Sequence, residues 1–376
     1  MGGSTRGQHG PRGGAGVDAA VQQARRVVGL YGDPDVSWSV LLVLRLSRPT
    51  TVEAVSTAAG NLVDAHPHLG PAPRVEGFGP GAEPGVLAAL ANEPFGDAGP
   101  LLRVAVGAGG RTLVLAAHHG AVDGLGMLGV ATALLAVPLT STARGIAREA
   151  EPTSFVRGSL RRLGEAAFAP PVRLDGDRAE GSALPGDWLE ARDVDVARPG
   201  SAALVRAAAD LVRRTNGPDR RGKRLVVSMG LSRRPGRPVP DPDRDTAYMR
   251  LRIGNLSSTA DARRLIAATA PEPAFPVGDA GGLGPAVARR LSHRLGATVL
   301  VSNLGLVDNP SIESVRFWPV PTGPAGVCLG LASTPATTTL TFRARRGWFS
   351  EQAARRLADV AADCLASAGA EDADDQ

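Results

Sequence analysis

The sequence predicts an α+β fold arranged in two lobes. Helix-like segments and short β-rich runs are mixed along the chain without the strict strand–helix–strand repetition of a doubly wound sheet. A Pro-, Gly- and Asp-rich segment at 170–185 separates two stretches that each contain helices and strands. With 376 residues, the chain can hold two domains of ordinary size or one bilobed unit with a substantial core.

The composition is that of a globular protein, with a hydrophobic fraction of 43% and a mean hydropathy of -0.03. The longest apolar run, Val36–Leu46, is interrupted by polar residues and is too short to span a bilayer. Residues 1–16 lack the apolar segment of a signal peptide and are predicted to form a disordered tail. Cys328 and Cys364 have no paired spacing, which fits a reducing compartment, so we expect a cytoplasmic protein.

The charge balance argues against a nucleic-acid partner despite a sequence pI of about 10.1. The net charge is only +5, and Lys223 is the sole lysine, so little titrates between neutrality and the arginine range. A small positive excess therefore moves the pI very high. Aromatic residues make up 4% of the chain, which offers no platform for stacking bases. The arginines are therefore interpreted as a solvated surface.

In the first half, short strands are predicted between helices. Thr50-Thr51-Val52-Glu53 has the spacing of a capping box and predicts a helix to about Asp64. Pro67 disfavours helical geometry at the preceding residue and ends this helix. Gly109-Gly110 predicts a hairpin into the strand 112–117. The other predicted elements are helices at 17–30, 83–92 and 125–137 and strands at 38–46 and 100–106.

The second half is predicted to end in a sheet of its own. Helices are expected at 154–168, 201–215, 259–269, 285–295 and 350–368. Strands are expected at 224–228, 248–253, 298–302, 315–320, 326–331 and 337–343, with a turn at Asn303–Gly305. The predicted division is a tail at 1–16, an N-terminal lobe at 17–150, a crossover and C-terminal lobe at 151–368, and an acidic tail at 369–376.

The strand at 112–117 ends at a pair of histidines, His118 and His119. Adjacent residues of a strand point to opposite faces, so one imidazole faces the interior while the other faces a cleft. Histidines on opposite faces are poor metal co-ligands, and no Cys or Glu cluster lies nearby. We therefore expect no metal site; a metalloenzyme using His119 and Asp123 is the third hypothesis.

A neutral imidazole, with an ordinary pKa near ~6.5, can accept a proton from an alcohol or amine that attacks a carbonyl. Asp123 lies four residues after the pair and can hold the turn through an arginine ion pair or through backbone N–H groups. Gly120 and Gly124 keep the backbone narrow, so that a substrate can approach. The competing interpretation is a buried histidine pair whose hydrogen bonds are satisfied at a strand end.

The segment His118–Gly124 matches the HHxxxDG motif and resembles the chloramphenicol-acetyltransferase-like superfamily. This superfamily includes nonribosomal peptide synthetase condensation domains, polyketide-associated acyltransferases and wax-ester synthases. Pro94-Phe95-Gly96 with 99–103 is similar to the "PF…GPLLR" approach to the motif strand. Residues 64–69 resemble the "HPxLR" end of the preceding helix, and 301–305 resemble the "SNLG" segment of free-standing members.

The resemblance implies two chloramphenicol-acetyltransferase-like α/β sandwich lobes that form a V with a tunnel at their interface. An acyl thioester, carried by CoA or by the phosphopantetheine arm of a carrier protein, enters from one side and an amine or hydroxyl from the other. No bound cofactor is implied. The product is an amide or an ester, and the composition resembles that of organisms in which free-standing members serve natural-product biosynthesis, nonribosomal peptide synthesis among them.

The resemblance also implies roles for individual residues. His119 is the general base near the thioester carbonyl, His118 and Asp123 are structural, and Gly124 permits close approach. Ser302 and Asn303 are candidates to donate to the oxyanion or to orient the substrate; the alternative for this pair is an ordinary turn.

One position departs from the family pattern. Gly70 stands where many members have an arginine that pairs with the motif aspartate. Arg74, Arg103 or the backbone alone are then left to hold Asp123. This departure supports a second hypothesis, a degenerate condensation-like module that binds acidic carrier proteins through its arginines without performing chemistry. The sequence does not select the donor, the acceptor, the product or the oligomeric state.

Overall fold

The computed structural model describes residues 18–19, 21–25, 36–96, 99–143, 155–177, 185–216, 224–234, 239–272, 296–321 and 326–374. The predicted tail at 1–16 and the predicted helix at 285–295 lie outside these residues. Of the predicted first helix, 18–19 and 21–25 are described, and they are helical.

The first sheet has five strands with helices on both faces. Its strands are β1 (Ser39–Leu46), β2 (Val75–Phe78), β3 (Leu102–Gly107), β4 (Thr112–His118) and β10 (Ile312–Trp318), in the order β10-β1-β4-β3-β2. The helices of this half are α1 (Val52–Ala65), α2 (Glu83–Asn92) and α3 (Gly124–Leu135). Apolar residues of α1 and α3 pack on one face of the sheet, and those of α2 pack on the other.

The main hydrophobic core of the second half lies between one face of the second sheet and two long helices. The strands of this sheet are β5 (Thr140–Ser141), β6 (Asp187–Asp193), β7 (Leu225–Ser232), β8 (Thr246–Ile253), β9 (Val299–Asp308), β11 (Val327–Ser333) and β12 (Thr338–Arg345). Their order is β6-β12-β11-β9-β7-β8, and β5 pairs with β9. The helices are α4 (Phe155–Phe168), α5 (Ser201–Thr215), α6 (Thr259–Ala268) and α7 (Glu351–Asp374). Helices α5 and α7 supply most of the helical side of this core.

The two halves of the chain share one strand. β10 comes from the second half but pairs with β1 of the first sheet, with Phe317 opposite Leu42. From the same strand, the indole N–H of Trp318 donates to the carbonyl of Glu190 at 3.0 Å. The first sheet therefore depends on a strand that follows all but two strands of the second sheet in the sequence.

The predicted α+β fold in two lobes is confirmed, and several local expectations are corrected. The N-cap of α1 is Thr51, one residue after the predicted Thr50. The strand predicted at 315–320 is β10 and belongs to the first sheet. Helix α7 extends past its predicted end near Ala368 to Asp374. None of the described helices combines the length and the apolar character that crossing a membrane requires.

Two strands of the structure were not predicted from the pattern of apolar residues, and one predicted turn is part of a strand. β2 is a four-residue strand inside a Pro/Gly-rich stretch. β6 lies at the edge of its sheet, and its charged residues interrupt the alternation of apolar and polar side chains that indicates a strand. Asn303–Gly305 lies within β9. Gly305 has φ +72° where the pairing with β11 shifts register, so the turn-like residues form an irregularity inside a strand.

Candidate active site

The motif begins where β4 ends, in a turn fixed by backbone hydrogen bonds. The N–H of His119 donates to the carbonyl of Trp38 at 2.7 Å, which joins this turn to the residue that precedes β1. The carbonyl of His118 accepts from the N–H groups of Ala121 and Val122, at 2.8 and 3.1 Å. These bonds place the two imidazoles before helix α3 begins.

His118 is held inside the protein. Its side chain is buried, its Nδ1 accepts from the N–H of Gly120 at 3.2 Å, and its ring meets the ring of Phe95 edge-on at 5.5 Å. Burial lowers the pKa of His118 to about 4; the positive charge of Arg25, and that of His119 when it is protonated, lower it further. A neutral ring is therefore favoured at this position.

His119 presents a nitrogen that can accept a proton. Its Nδ1 lies 3.4 Å from the carbonyl of Val122, and a carbonyl can only accept, so the proton of the neutral ring is assigned to Nδ1. Nε2 then carries the free lone pair. Burial lowers the pKa of His119 to about 4; Arg244 lowers it further, while Asp123 and Val122 oppose the shift. His119 is therefore neutral at neutral pH.

Asp123 is the most heavily bonded residue of the motif. Its Oδ1 caps α3 by accepting from the N–H of Gly126 at 2.8 Å. Arg234 Nη1 donates to both carboxylate oxygens, at 2.8 and 2.9 Å. The N–H of Asp245 and the hydroxyl of Thr246 complete the set at 2.9 and 3.0 Å from Oδ2. The carboxylate thus fixes the start of α3 to the second half of the chain.

The arginine partner of Asp123 is therefore Arg234, which corrects the expectation from the sequence. Arg234 and Asp123 have side-chain exposures of 9% and 6%, so the ion pair is buried. Arg103 instead donates to the carbonyls of Glu93 and Pro94. Arg234 lies 111 residues after Asp123, in a charged Pro-rich loop, and no spacing rule connects the two; the surplus of arginine in that loop was the only available signal.

The β7–β8 loop, whose described residues are 233–234 and 239–245, lies against the beginning of α3. The carbonyl of Asp243 accepts from the N–H of Asp123 at 3.2 Å. His68 Nε2 lies 3.0 Å from the carbonyl of Pro242, which ties the predicted "HPxL" segment to the same loop. A Cβ added to Gly126 would lie 2.1 Å from the carbonyl oxygen of Asp243. Glycine is thus required in α3 because the loop backbone occupies the space of a side chain.

The motif glycines serve packing within the protein. A Cβ on Gly120 would lie 1.8 Å from the carbonyl oxygen of Ala24, in the N-terminal helical segment. A Cβ on Gly124 would lie 2.7 Å from the ring of Phe317 and 3.1 Å from Leu304. This differs from the expectation that both glycines leave room for a substrate, because protein atoms fill the space beside each of them.

Ser302 and Asn303 face in different directions. Ser302 lies two residues before Leu304 on β9 and shares its face, so it points toward the side of the sheet where Leu304 meets Gly124. Asn303 lies on the opposite face, where its Nδ2 donates to Ser201 Oγ at 3.4 Å. Asn303 also lines a pocket of about 360 Å³ at the start of α5. The structure therefore separates the predicted pair, with Asn303 bonded toward α5 and Ser302 Oγ beside Gly230 of β7.

Within the described part of the chain, no three His, Cys, Asp or Glu side chains form a group that could hold a metal ion. The motif thus brings together two imidazoles and one buried ion pair. Such a set can transfer protons and donate hydrogen bonds.

No protein-family model matches the chain, and no curated protein matches it in sequence. Solved structures do match. A mutant starter condensation domain of rhizomide synthetase RzmA, in complex with C8-CoA and Leu-SNAC, has a TM-score of 0.58 at 13% identity, covering 94% of this chain and 93% of that chain. The first condensation domain of the calcium-dependent antibiotic synthetase, with a substrate analogue, gives 0.58 at 16% identity and 94% and 95% coverage.

A third match is the SgcC5 protein of Streptomyces globisporus, with a TM-score of 0.56 at 16% identity and coverage of 94% and 98%. The three structural alignments cover nearly the whole of this chain and of the matched chains. The protein therefore has the two-lobed chloramphenicol-acetyltransferase-like fold of condensation domains. The fold that the sequence resemblance implies is confirmed.

Proposed function

We propose that the protein is an acyltransferase that moves an acyl group from a thioester to an amine or hydroxyl, with His119 as the general base. The observation that carries this proposal is the state of His119: a neutral ring whose Nδ1 proton is directed at Val122, leaving Nε2 able to accept a proton. The fold supports the same class, because the RzmA domain was crystallised with C8-CoA and Leu-SNAC.

In the proposed reaction, the acceptor nitrogen or oxygen attacks the thioester carbonyl carbon while its proton passes to His119 Nε2. The new C–N or C–O bond forms a tetrahedral oxyanion. Collapse of this intermediate breaks the C–S bond, and the proton on Nε2 passes to the departing sulfur. The products are an amide or ester and a free thiol, and His119 returns to its neutral state.

The other predicted site residues take supporting roles in the proposal. Asp123, held by Arg234, fixes the turn in which His119 sits, and buried His118 supports that turn from inside. Ser302 is the better placed oxyanion donor of the predicted pair, since Asn303 bonds toward α5. One aimed donor of this kind contributes about 10²–10³ in rate.

The substrates follow from the chemistry. The donor is an acyl thioester of CoA or of a carrier-protein phosphopantetheine arm, and no resident cofactor takes part in the reaction. The acceptor is a small-molecule or carrier-bound amine or alcohol. We place the reaction in natural-product biosynthesis, because the neighbours in fold include condensation domains of antibiotic and rhizomide synthetases. The cytoplasmic location is proposed from the two cysteines, which have no paired spacing.

The alternative function is a condensation-like module that binds acidic carrier proteins without chemistry. One observation favours it: a group with a pKa of about 4, as for His119, is a weak proton acceptor. The formal net charge of +5 suits an acidic partner. Binding of a loaded carrier with no loss of its acyl group would support this alternative.

The test is a single-turnover assay with octanoyl-CoA, octanoyl-SNAC and an octanoyl-loaded carrier protein, each with a panel of amines and alcohols. We expect release of free thiol and an amide or ester of matching mass. His119→Ala is expected to lower the rate by about 10²-fold or more, while His66→Ala, which changes a histidine outside the motif, leaves it unchanged. Full activity in folded His119→Ala would contradict the proposal.

A further inference from the structure

A strained residue lies directly beside the proposed base. Trp38 has φ +56°, in the left-handed region that bulky residues seldom adopt. Its carbonyl accepts the N–H of His119 at 2.7 Å, and the next residue, Ser39, pairs with His118. The position of the His119 backbone therefore depends on a turn whose own conformation is unfavourable unless its surroundings hold it.

Within the first half, two serines hold this turn against the end of α2. Ser37 Oγ donates to the carbonyl of Ala91, and Ser39 Oγ donates to the carbonyl of Leu90 at 2.7 Å. The N–H of Ser39 donates back to Ser37 Oγ at 3.3 Å. The serines on either side of Trp38 are thus tied to one helix terminus, where carbonyl groups have no partner within the helix.

From the second half, a buried arginine reaches the same turn. Arg343 of β12 is completely buried and forms an ion pair with Asp187 of β6, with 2.7 Å between Nε and Oδ2. Its Nη1 donates to the carbonyl of Ser39 at 2.5 Å, and its Nη2 donates to the carbonyl of Ala91 at 3.2 Å. One guanidinium therefore joins β1, the end of α2 and the second sheet.

Asp187 is fixed to the first half as well. Its N–H donates to Asn92 Oδ1 at 2.7 Å, and its carbonyl accepts from Asn92 Nδ2 at 3.2 Å. Residues of both lobes consequently hold the Arg343–Asp187 ion pair in place. A carboxylate and a guanidinium with this little exposure keep their charges only when both are bonded in this way.

We propose that Arg343 and Asp187 are positioning residues for His119, acting through the 37–39 turn. The second lobe supplies the cation, the cation holds the Ser39 carbonyl, and the adjoining Trp38 carbonyl sets the place of the His119 amide. The base is then correctly placed only when the second lobe is docked on the first. This proposal rests on the proposed function for its catalytic meaning, but its structural step can be measured without any substrate.

Other polar contacts between the lobes provide matched controls. Thr341 Oγ1 donates to the carbonyl of Phe317, and Trp318 Nε1 donates to the carbonyl of Glu190 at 3.0 Å. Both join strand β10 of the first sheet to a strand of the second sheet, and neither touches the 37–39 turn. Thr341→Val and Trp318→Phe should therefore weaken the lobe contact without changing the support of Trp38.

The first measurement is hydrogen exchange at the His119 amide in the full-length protein. We expect Arg343→Gln and Asp187→Asn to speed this exchange by about tenfold or more relative to the amides in the middle of β4. Thr341→Val and Trp318→Phe should leave that ratio unchanged. Ser37→Ala removes one hydroxyl from a partly buried position; it is the variant that decides the question if the arginine variants do not fold, and it should raise the exchange in the same direction.

The second measurement is the single-turnover rate of acyl transfer. We expect the Arg343 and Ser37 variants to lose about tenfold or more in rate, with KM for the donor changed by less than about threefold. Arg343→Lys, which keeps a cation, should recover part of the loss, and the two controls should keep the rate of the unaltered chain.

A protected His119 amide in folded Arg343→Gln, or in Ser37→Ala, would overturn the proposal. So would a rate loss in the Thr341 and Trp318 controls equal to that of the Arg343 variants. If the unaltered chain transfers no acyl group, the proposed function fails, while the exchange measurement still decides whether Arg343 positions His119.

Discussion

The two ends of the HHxxxDG segment are held in different ways. The histidine end lies in the β1–β4 ladder, where Trp38 and Phe95 of the same half of the chain contact it directly. The aspartate end is held by Arg234, Asp245 and Thr246, all from the second half. The first half of the chain thus contacts the proposed base directly, and the second half reaches it through the 37–39 turn, whereas the second half contacts the aspartate directly. The motif therefore needs both halves of the chain.

The largest expected effect on stability comes from removing the ion pair between Arg234 and Asp123 at the aspartate end of the motif. Arg234→Gln leaves the Asp123 carboxylate buried without its cation, and loss of one partner of a buried pair costs about 3–5 kcal/mol. The free energy of unfolding, measured with a chemical denaturant, should fall by this amount. Arg111→Gln, which removes an arginine whose side chain is 58% exposed and paired with Glu313 at 3.7 Å, should cost less than about 1 kcal/mol. Equal losses in the two variants would show that the aspartate end is no more important than the surface.

The histidine end of the motif can be tested by measuring how the free energy of unfolding depends on pH. The pKa values of His118 and His119 are lowered to about 4 by burial, so between about pH 6.5 and pH 4 the unfolded chain binds protons that the folded chain does not. Stability should therefore fall as the pH drops through this window, by at most about 1.4 kcal/mol per pH unit for each histidine.

The same pH effect can be assigned to one ring by substitution. His118→Asn keeps an acceptor for the N–H of Gly120 but does not titrate, so the slope of unfolding free energy against pH should become shallower. An unchanged slope in this variant would mean that His118 does not contribute to the loss of stability in acid.

The smallest expected effect concerns the fit between α3 and the β7–β8 loop. In Gly126→Ala the new Cβ would lie 2.1 Å from the carbonyl oxygen of Asp243, so the loop must move, at a cost of about 1–3 kcal/mol. Gly60→Ala in α1 is the matched control, since nothing lies within 4 Å of its Cβ, and it should stabilise the helix by about 0.5–1 kcal/mol. Thermal unfolding of the two variants should shift in opposite directions.

Features that depend on nearby residues were predictable from the sequence, and contacts between distant parts of the chain were not. Periodicity and local signals suffice for α2 and α5, whose predicted bounds at 83–92 and 201–215 agree with the structure. The strand-to-helix setting of the motif was predictable for the same reason. Arg234 as the partner of Asp123 was not, because contacts across 111 residues are fixed by how the lobes dock.

Tertiary context also decided which strands belong together. The residues of β10 indicate a strand but carry no information about its partner, and only the fold assigns it to β1. The "SNLG" residues look like a turn because Asn and Gly favour turns, yet Ser302 and Asn303 pair with β11 and continue the extended strand β9.

The shared strand β10 sets a limit on how this protein can be divided by engineering. A fragment that stops between the two halves would expose the edge of β1, a row of unpaired backbone groups and buried leucines that would invite aggregation. Split reporters, module exchange or circular permutation should therefore keep residues 39–46 and 312–318 in the same folding unit. A break in an exposed loop of the second lobe would respect that requirement, whereas a cut at the midpoint of the chain would not.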